Sequence, residues 1–118
     1  TKVVDVIDEL KEYGVNVQVV DPVADGEDLL RNYGITLSRP EDVKEVDAVI
    51  FAVPHEEFKK IKLADVKKMY NNTRNGAYTE EAAATLEQDL DQRDVLIDVK
   101  GIFDRKEAED MGFLYWRL

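Results

Sequence analysis

Three short stretches place chemically capable side chains just after apolar segments: Asp21-Pro22, Val53-Pro54-His55 and Lys100-Gly101-Ile102-Phe103. In an open parallel sheet, ligands bind outside the carboxyl ends of the strands, so these loops are the first places to look. Lys100 offers a cation for a phosphate or a ribose hydroxyl, and Gly101 beside it lets a backbone approach a ligand closely. A helix capped by Asp104 points its N-terminus to the same region, although the Asp104 carboxylate would repel an anion. A ligand contact and a plain strand-to-helix turn are equally compatible with this stretch. Asp21 has the placing of an acidic residue that binds a dinucleotide ribose, but no G-x-G-x-x-G lies upstream. Asp before Pro is then better read as a turn device. His55 is the chain's single histidine, with no Cys and no G-x-S-x-G to act as nucleophile, so a hydrogen bond to a loop carbonyl is the favoured reading. Lys59, Lys60, Lys62, Lys67, Lys68 and Arg74 are opposed only by Asp65. They could dock a partner or a nucleotide, but without interleaved aromatic residues they read as a solvated helix face rather than a nucleic-acid surface.

Composition sets the bounds on that chemistry. The chain has 118 residues, room for one small domain over 1–118. Hydrophobic residues are 44% and charged residues 36%, the profile of a globular domain. A formal net charge of −10 repels phosphate backbones and anionic lipid, arguing against nucleic-acid and membrane partners. The absence of Cys removes disulfides, thiolate metal sites and thiol nucleophiles, and one His excludes a multi-histidine metal centre. No apolar run reaches the roughly 18–20 residues of a membrane span, and Asp5, Asp8 and Glu9 interrupt any signal-like start. The chain begins at Thr1 rather than Met and reads as an excised piece of a longer, cytoplasmic protein.

The elements that must position these residues alternate. Thr1 can cap a helix carrying Val3, Val6, Ile7 and Leu10 and ending at Gly14. Val15–Val20 predicts a strand stopped by Asp21-Pro22. Asp25 predicts the cap of a short helix through Leu29, Leu30 and Tyr33, closed by Gly34. Ile35–Leu37 predicts a brief edge strand, and Pro40 opens a helical turn. Ala48–Val53 is apolar without alternation, so both faces should be buried. A helical stretch around Phe58 follows, then a helix capped by Asp65 and running through Val66 and Met69. Asn71–Gly76 is loop-like, and Thr79 starts a helix with a stripe of Ala83, Leu86 and Leu90. Asp94–Val99 predicts a second buried strand, Asp104 and Glu107 a capped helix closed by Gly112, and Phe113–Trp116 a last strand.

Helices alternating with strands, two of them continuously apolar, argue for a three-layer α/β/α sandwich with a mainly parallel, Rossmann-like sheet. Residues near 15–20, 47–53 and 94–99 should run parallel in it.

Several segments together resemble a family. TKVVDVIDELKEYG at 1–14, VVDP at 19–22, DAVIFAVPHEEF at 47–58 and, above all, DVKGIFDRKEAEDMGFLYWRL at 98–118 are similar to the C-terminal, UDP-binding domain of UDP-glucose/GDP-mannose dehydrogenases. The ending GFLYWRL looks more like the branch acting on UDP-N-acetylhexosamines than like UDP-glucose enzymes. Positions between Asn71 and Arg93 look longer than usual for the family and carry nothing over.

The resemblance implies an NAD-dependent oxidation of the C6 hydroxymethyl of a UDP-sugar to a carboxylate, reducing two NAD⁺ molecules. Family members use a cysteine in a central or N-terminal part, so this chain would supply a nucleotide-sugar-binding domain that is not catalytic alone. NAD would be bound mainly outside it. Partners would be the UDP-sugar, the enzyme's own N-terminal and central domains, and other copies in a homo-oligomer. Lys100 matches the basic position of the family's D-x-R/K motif, and Gly101 adjoins it. Lys in place of the more usual Arg changes what the contact can be. The F-K-x-x-T-x-D-x-R segment would precede Thr1, and with it the first strand is missing from the chain; the sheet should close that gap or pair with a second copy. The reading from another class is a free-standing flavodoxin- or receiver-like module that binds a partner, though a receiver needs acidic residues near a first strand. An intact small nucleotide-binding protein would need a glycine-rich phosphate loop.

Overall fold

Apolar residues at positions 3, 6, 7 and 10 fall on one side of a helical turn, and the first element is helix α1, Lys2–Glu12, with Ile7 buried. The computed structural model describes residues 2–71 and 94–118. The expected cap at Thr1, the loop beyond Asn71, Arg74 and the helix from Thr79 lie outside the described residues. The chain divides into two compact units, Thr1–Val43 and Lys44–Leu118.

In the first unit, the Asp25 carboxylate accepts from the amides of Glu27 and Asp28 and starts helix α2, Gly26–Tyr33, which Gly34 closes in a left-handed conformation. Pro40 opens a single 3₁₀ turn, Pro40–Asp42. The strand expected over 15–20 does not form. Val19 makes one parallel bridge to Leu37, sealed by the Ser38 amide donating to the Val19 carbonyl at 2.7 Å. Ile35–Leu37 is likewise reduced to that bridge. A strand is held by its neighbour's backbone, and among the described residues Leu37 is the one bridge partner found for this segment.

The second unit holds a three-stranded parallel sheet in the order β1 (Ala48–Phe51), β2 (Asp94–Asp98), β3 (Phe113–Arg117). Between the strands come the short helices α3 (Glu56–Lys59), α4 (Leu63–Lys67) and α5 (Arg105–Asp110). Helices crossing between parallel strands give the α/β, Rossmann-like class the sequence predicts. Asp65 is not the cap of α4 but its third residue; the helix starts two residues earlier, and the Asp65 carboxylate reaches back to the Lys62 amide at 3.3 Å.

Register decides which side chains share a face. Ala48 pairs with Val95, which pairs in turn with Leu114, and Ile50 pairs with Ile97, which pairs with Trp116. Val49, Leu96 and Tyr115, with Phe51, Asp98 and Arg117, occupy the opposite face. The described helices of this unit pack on that second face. Phe58 of α3 meets Phe51 edge-on at 5.6 Å, Lys67 of α4 lies over Phe113 and pairs with Asp94 at 2.8 Å, and Arg105 of α5 lies over Tyr115. The expectation that both faces of Ala48–Val53 are buried is therefore corrected. Phe51 is buried, but Ile50 is 42% exposed and Trp116 across the sheet 55%.

Among the described residues, the sheet ends at β1. Val46 donates to the Met69 carbonyl and accepts from the Asn71 amide, forming a bridge to Tyr70. Phe51 instead accepts from Val99, on the β2 side. Backbone groups alternate in direction along a strand, so Ala48 and Ile50 face the same outer edge as Val46. No described residue pairs with them there.

Candidate functional site

The carboxyl ends of β1, β2 and β3 bring two of the three candidate loops together. Phe51, at the end of β1, stacks edge-on against Phe103 at 4.9 Å, and the Phe51 carbonyl accepts from Val99 just past β2. The loop carrying His55 and the loop carrying Lys100 thus leave neighbouring strands side by side. Asp21 belongs to the other unit, where its Oδ1 accepts from Val23 at 2.9 Å and Ala24 at 3.0 Å, the turn device the sequence favours.

His55 is half-buried at the start of α3. Its amide donates to the Val53 carbonyl at 3.0 Å, its carbonyl accepts from Phe58, and its ring packs against the Phe58 ring at 5.3 Å. These contacts serve the turn. The basic stretch divides: Lys59 pairs with Glu56 at 3.0 Å and Lys67 with the buried Asp94, while Lys60, Lys62 and Lys68 are exposed.

Lys100 is exposed on a turn held from below by a polar cluster. Asp98, the last residue of β2, is 0% exposed. Its Oδ1 accepts from the Ile102 amide and its Oδ2 from the Phe103 amide, both at 2.9 Å. The Tyr115 hydroxyl donates to the same Oδ2 at 2.5 Å. Arg117 completes the cluster, Nη2 donating to the Phe103 carbonyl at 2.6 Å and Nε and Nη2 to the Tyr115 oxygen at 3.1 and 3.0 Å. Burial alone would raise the Asp98 carboxyl. The Phe103 amide, the Tyr115 hydroxyl, the Ile102 amide and the Arg117 charge outweigh it and hold the group below the ordinary carboxylate range. Burial and the hydrogen bond to Asp98 push the Tyr115 hydroxyl up, so Tyr115 stays a donor.

Gly101 has a second reason to be glycine. Its φ is 70°, and a Cβ there would lie 3.1 Å from Arg117 Nε. The space beside its Cα is filled by the Arg117 side chain. Lys100 and Gly101 both remain exposed at this turn.

Asp98, Tyr115 and Arg117 escape a reading of the sequence, because Asp98 closes a strand whose interior, Val95, Leu96 and Ile97, is apolar. The available signal was a carboxylate closing such a strand, with Tyr and Arg spaced two apart on another strand and so on one face. Asp104 acts as expected, accepting from the Glu107 amide at 2.9 Å.

Comparison with known proteins gives the setting of this site. Residues 1–75 match the UDP-glucose/GDP-mannose dehydrogenase family, UDP binding domain. Protein CapL of Staphylococcus aureus is 35% identical over 118 residues, which is 100% of this chain and 23% of CapL. UDP-N-acetyl-D-glucosamine 6-dehydrogenase of Pseudomonas aeruginosa is 41% identical over 69 residues, 58% of this chain and 16% of that enzyme. The enzyme of the same name from Salmonella typhi is 36% identical over 67 residues, 57% of this chain and 16% of its own length. The chain therefore spans less than a quarter of each of these relatives. No solved structure matches it.

Proposed function

The chain belongs to the UDP-glucose/GDP-mannose dehydrogenase family as its UDP-binding domain, and on that premise we propose that Lys100 and Gly101 form part of the surface that receives the nucleotide of a UDP-sugar. One observation carries this reading: an exposed cation stands on a clamped turn at the carboxyl end of the central strand, where open α/β sheets bind their ligands. A single ammonium supplies a point charge to a phosphate rather than a two-point grip.

The domain, taken as 1–118, serves a longer NAD-dependent, cytoplasmic UDP-sugar 6-dehydrogenase. That enzyme oxidises the C6 hydroxymethyl of a UDP-N-acetylhexosamine or UDP-glucose to the uronic acid, for polysaccharide synthesis. The names of the two 6-dehydrogenase relatives favour the N-acetylhexosamine branch. Within the homo-oligomeric enzyme this domain meets the N-terminal and central domains, which carry the thiol chemistry that a chain without Cys cannot supply. Among the described residues, no helix is long and apolar enough to cross a membrane.

The residues described here do not fit the pyrophosphate of NAD. The sequence holds no G-x-G-x-x-G, and the first amides of α2 and α5 are already taken by the Asp25 and Asp104 carboxylates, which would repel an anion. NAD is accordingly assigned to the rest of the enzyme.

Calorimetric titration of UDP tests the reading. Lys100→Ala should weaken UDP binding to this chain, and raise the KM for the UDP-sugar in the longer enzyme, by about ten- to a hundredfold, the loss of one charged hydrogen bond. Unchanged affinity and unchanged KM would remove Lys100 from the site.

A further inference from the structure

Arg117 is an exposed residue, yet its guanidinium makes one hydrogen bond to the Lys100 turn, at Phe103, and two to Tyr115, which is itself bonded to the residue before that turn. Its Nη2 bridges two acceptors on different elements, the Phe103 carbonyl in the turn and the Tyr115 hydroxyl in β3. Its Nε, Cδ and Cζ lie 3.1–3.4 Å from where a side chain on Gly101 would begin. The Tyr115 hydroxyl in turn donates to Asp98, which binds the amides of Ile102 and Phe103. Every route from Arg117 ends in the backbone of residues 101–103.

We infer that Arg117 is a positioning residue for nucleotide binding: its guanidinium, forked between Phe103 and Tyr115 and packed beside Gly101, holds the Lys100 turn in its binding shape. This rests on the proposed reading of Lys100 as a nucleotide contact. A planar guanidinium can span two acceptors in fixed directions, whereas an ammonium of the same charge cannot reproduce that fork. Geometry, and not charge, is therefore the property that matters at position 117.

The test is calorimetric titration of UDP into the 118-residue chain and its Arg117→Ala, Arg117→Lys, Tyr115→Phe and Lys100→Ala variants, each checked for folding by circular dichroism. Arg117→Ala should weaken binding about tenfold, and Arg117→Lys should recover little of that loss. Tyr115→Phe keeps the Arg117 charge but removes one arm of the fork, and should weaken binding several-fold. The amide resonances of Ile102 and Phe103 should shift in all three. Wild-type affinity in Arg117→Lys would show that charge alone suffices and overturn the inference, as would folded Arg117→Ala and Tyr115→Phe proteins that bind UDP normally. If Arg117→Ala does not fold, the Lys and Phe variants decide. Absence of UDP binding by the unaltered chain, or binding that Lys100→Ala leaves untouched, strikes at the proposed function itself and takes this inference with it.

Discussion

The Tyr115 hydroxyl and the Asp98 carboxylate meet diagonally across neighbouring strands, 2.5 Å apart on the face where the helices pack. Tyr115 lies opposite Leu96 and Asp98 opposite Arg117, so a shift of one residue in the β2–β3 register would turn one of them to the other face. The pair thus ties strand register to the shape of the turn that follows β2.

Removing the phenol oxygen should be costly for that reason. Tyr115→Phe leaves the buried carboxylate with two amide donors and deprives Arg117 of an acceptor. We expect a loss of about 1–3 kcal/mol in urea unfolding with an unchanged slope. A midpoint equal to that of the parent would show that the amides alone satisfy Asp98.

Asp98 also sets an acid limit. Its carboxyl is held below the ordinary range in the folded chain, so in acid the unfolded state binds more protons, and stability rises with pH there. The contribution should be fully present above the unfolded value of about 3.9 and lost as pH falls through the lower folded value. Asp98→Asn should flatten that acid limb and lower stability at neutral pH, since an amide cannot accept from every present donor. An acid limb of undiminished steepness in the variant would assign it to other carboxylates.

Two glycines with nearly the same backbone give a controlled comparison. Gly34 has φ 67° and open space where a Cβ would go, whereas Gly101 has φ 70° and the Arg117 side chain there. Gly34→Ala should cost about 1 kcal/mol, the penalty of the left-handed conformation. Gly101→Ala should cost more, because Arg117 must leave its fork. Equal shifts in thermal midpoint would mean that Arg117 yields freely.

The one-sided burial of the sheet has its own signature. Leu96, 0% exposed at the centre, should lose about 2–5 kcal/mol on truncation to Ala. Ile50→Ala, on the open face, should lose under about 1 kcal/mol. Comparable losses at the two positions would place a covering element over Ile50.

Local signals were the legible part of this fold. The caps Asp25 and Asp104, the stop after α2 at Gly34 and the turn at Pro40 each depend on residues within a few positions, and each forms as read. The strands 48–51, 94–98 and 113–117 were legible from apolar, β-branched or aromatic runs. Val15–Val20 has the same composition and is not a strand, because a strand also needs a neighbour, which composition does not supply. The one-sidedness of β1 was hidden for a related reason: which face the helices cover is decided by the crossovers. Of the site, the Lys100 turn could be located from its place after β2. Its clamp could not, since Asp98 and Arg117 are 19 positions apart in sequence and become neighbours only through the β2–β3 register.

Trp116 turns this architecture into a spectroscopic property. It is the chain's single tryptophan, and it stands on the solvent side of β3 between Tyr115 and Arg117, which point inward. An indole already bathed in water has little further to go when the chain unfolds, so its emission maximum should barely move through a transition that circular dichroism follows clearly. The same residue should shift to the blue whenever something covers the open face of the sheet. Its fluorescence is therefore a poor gauge of folding and a built-in gauge of association.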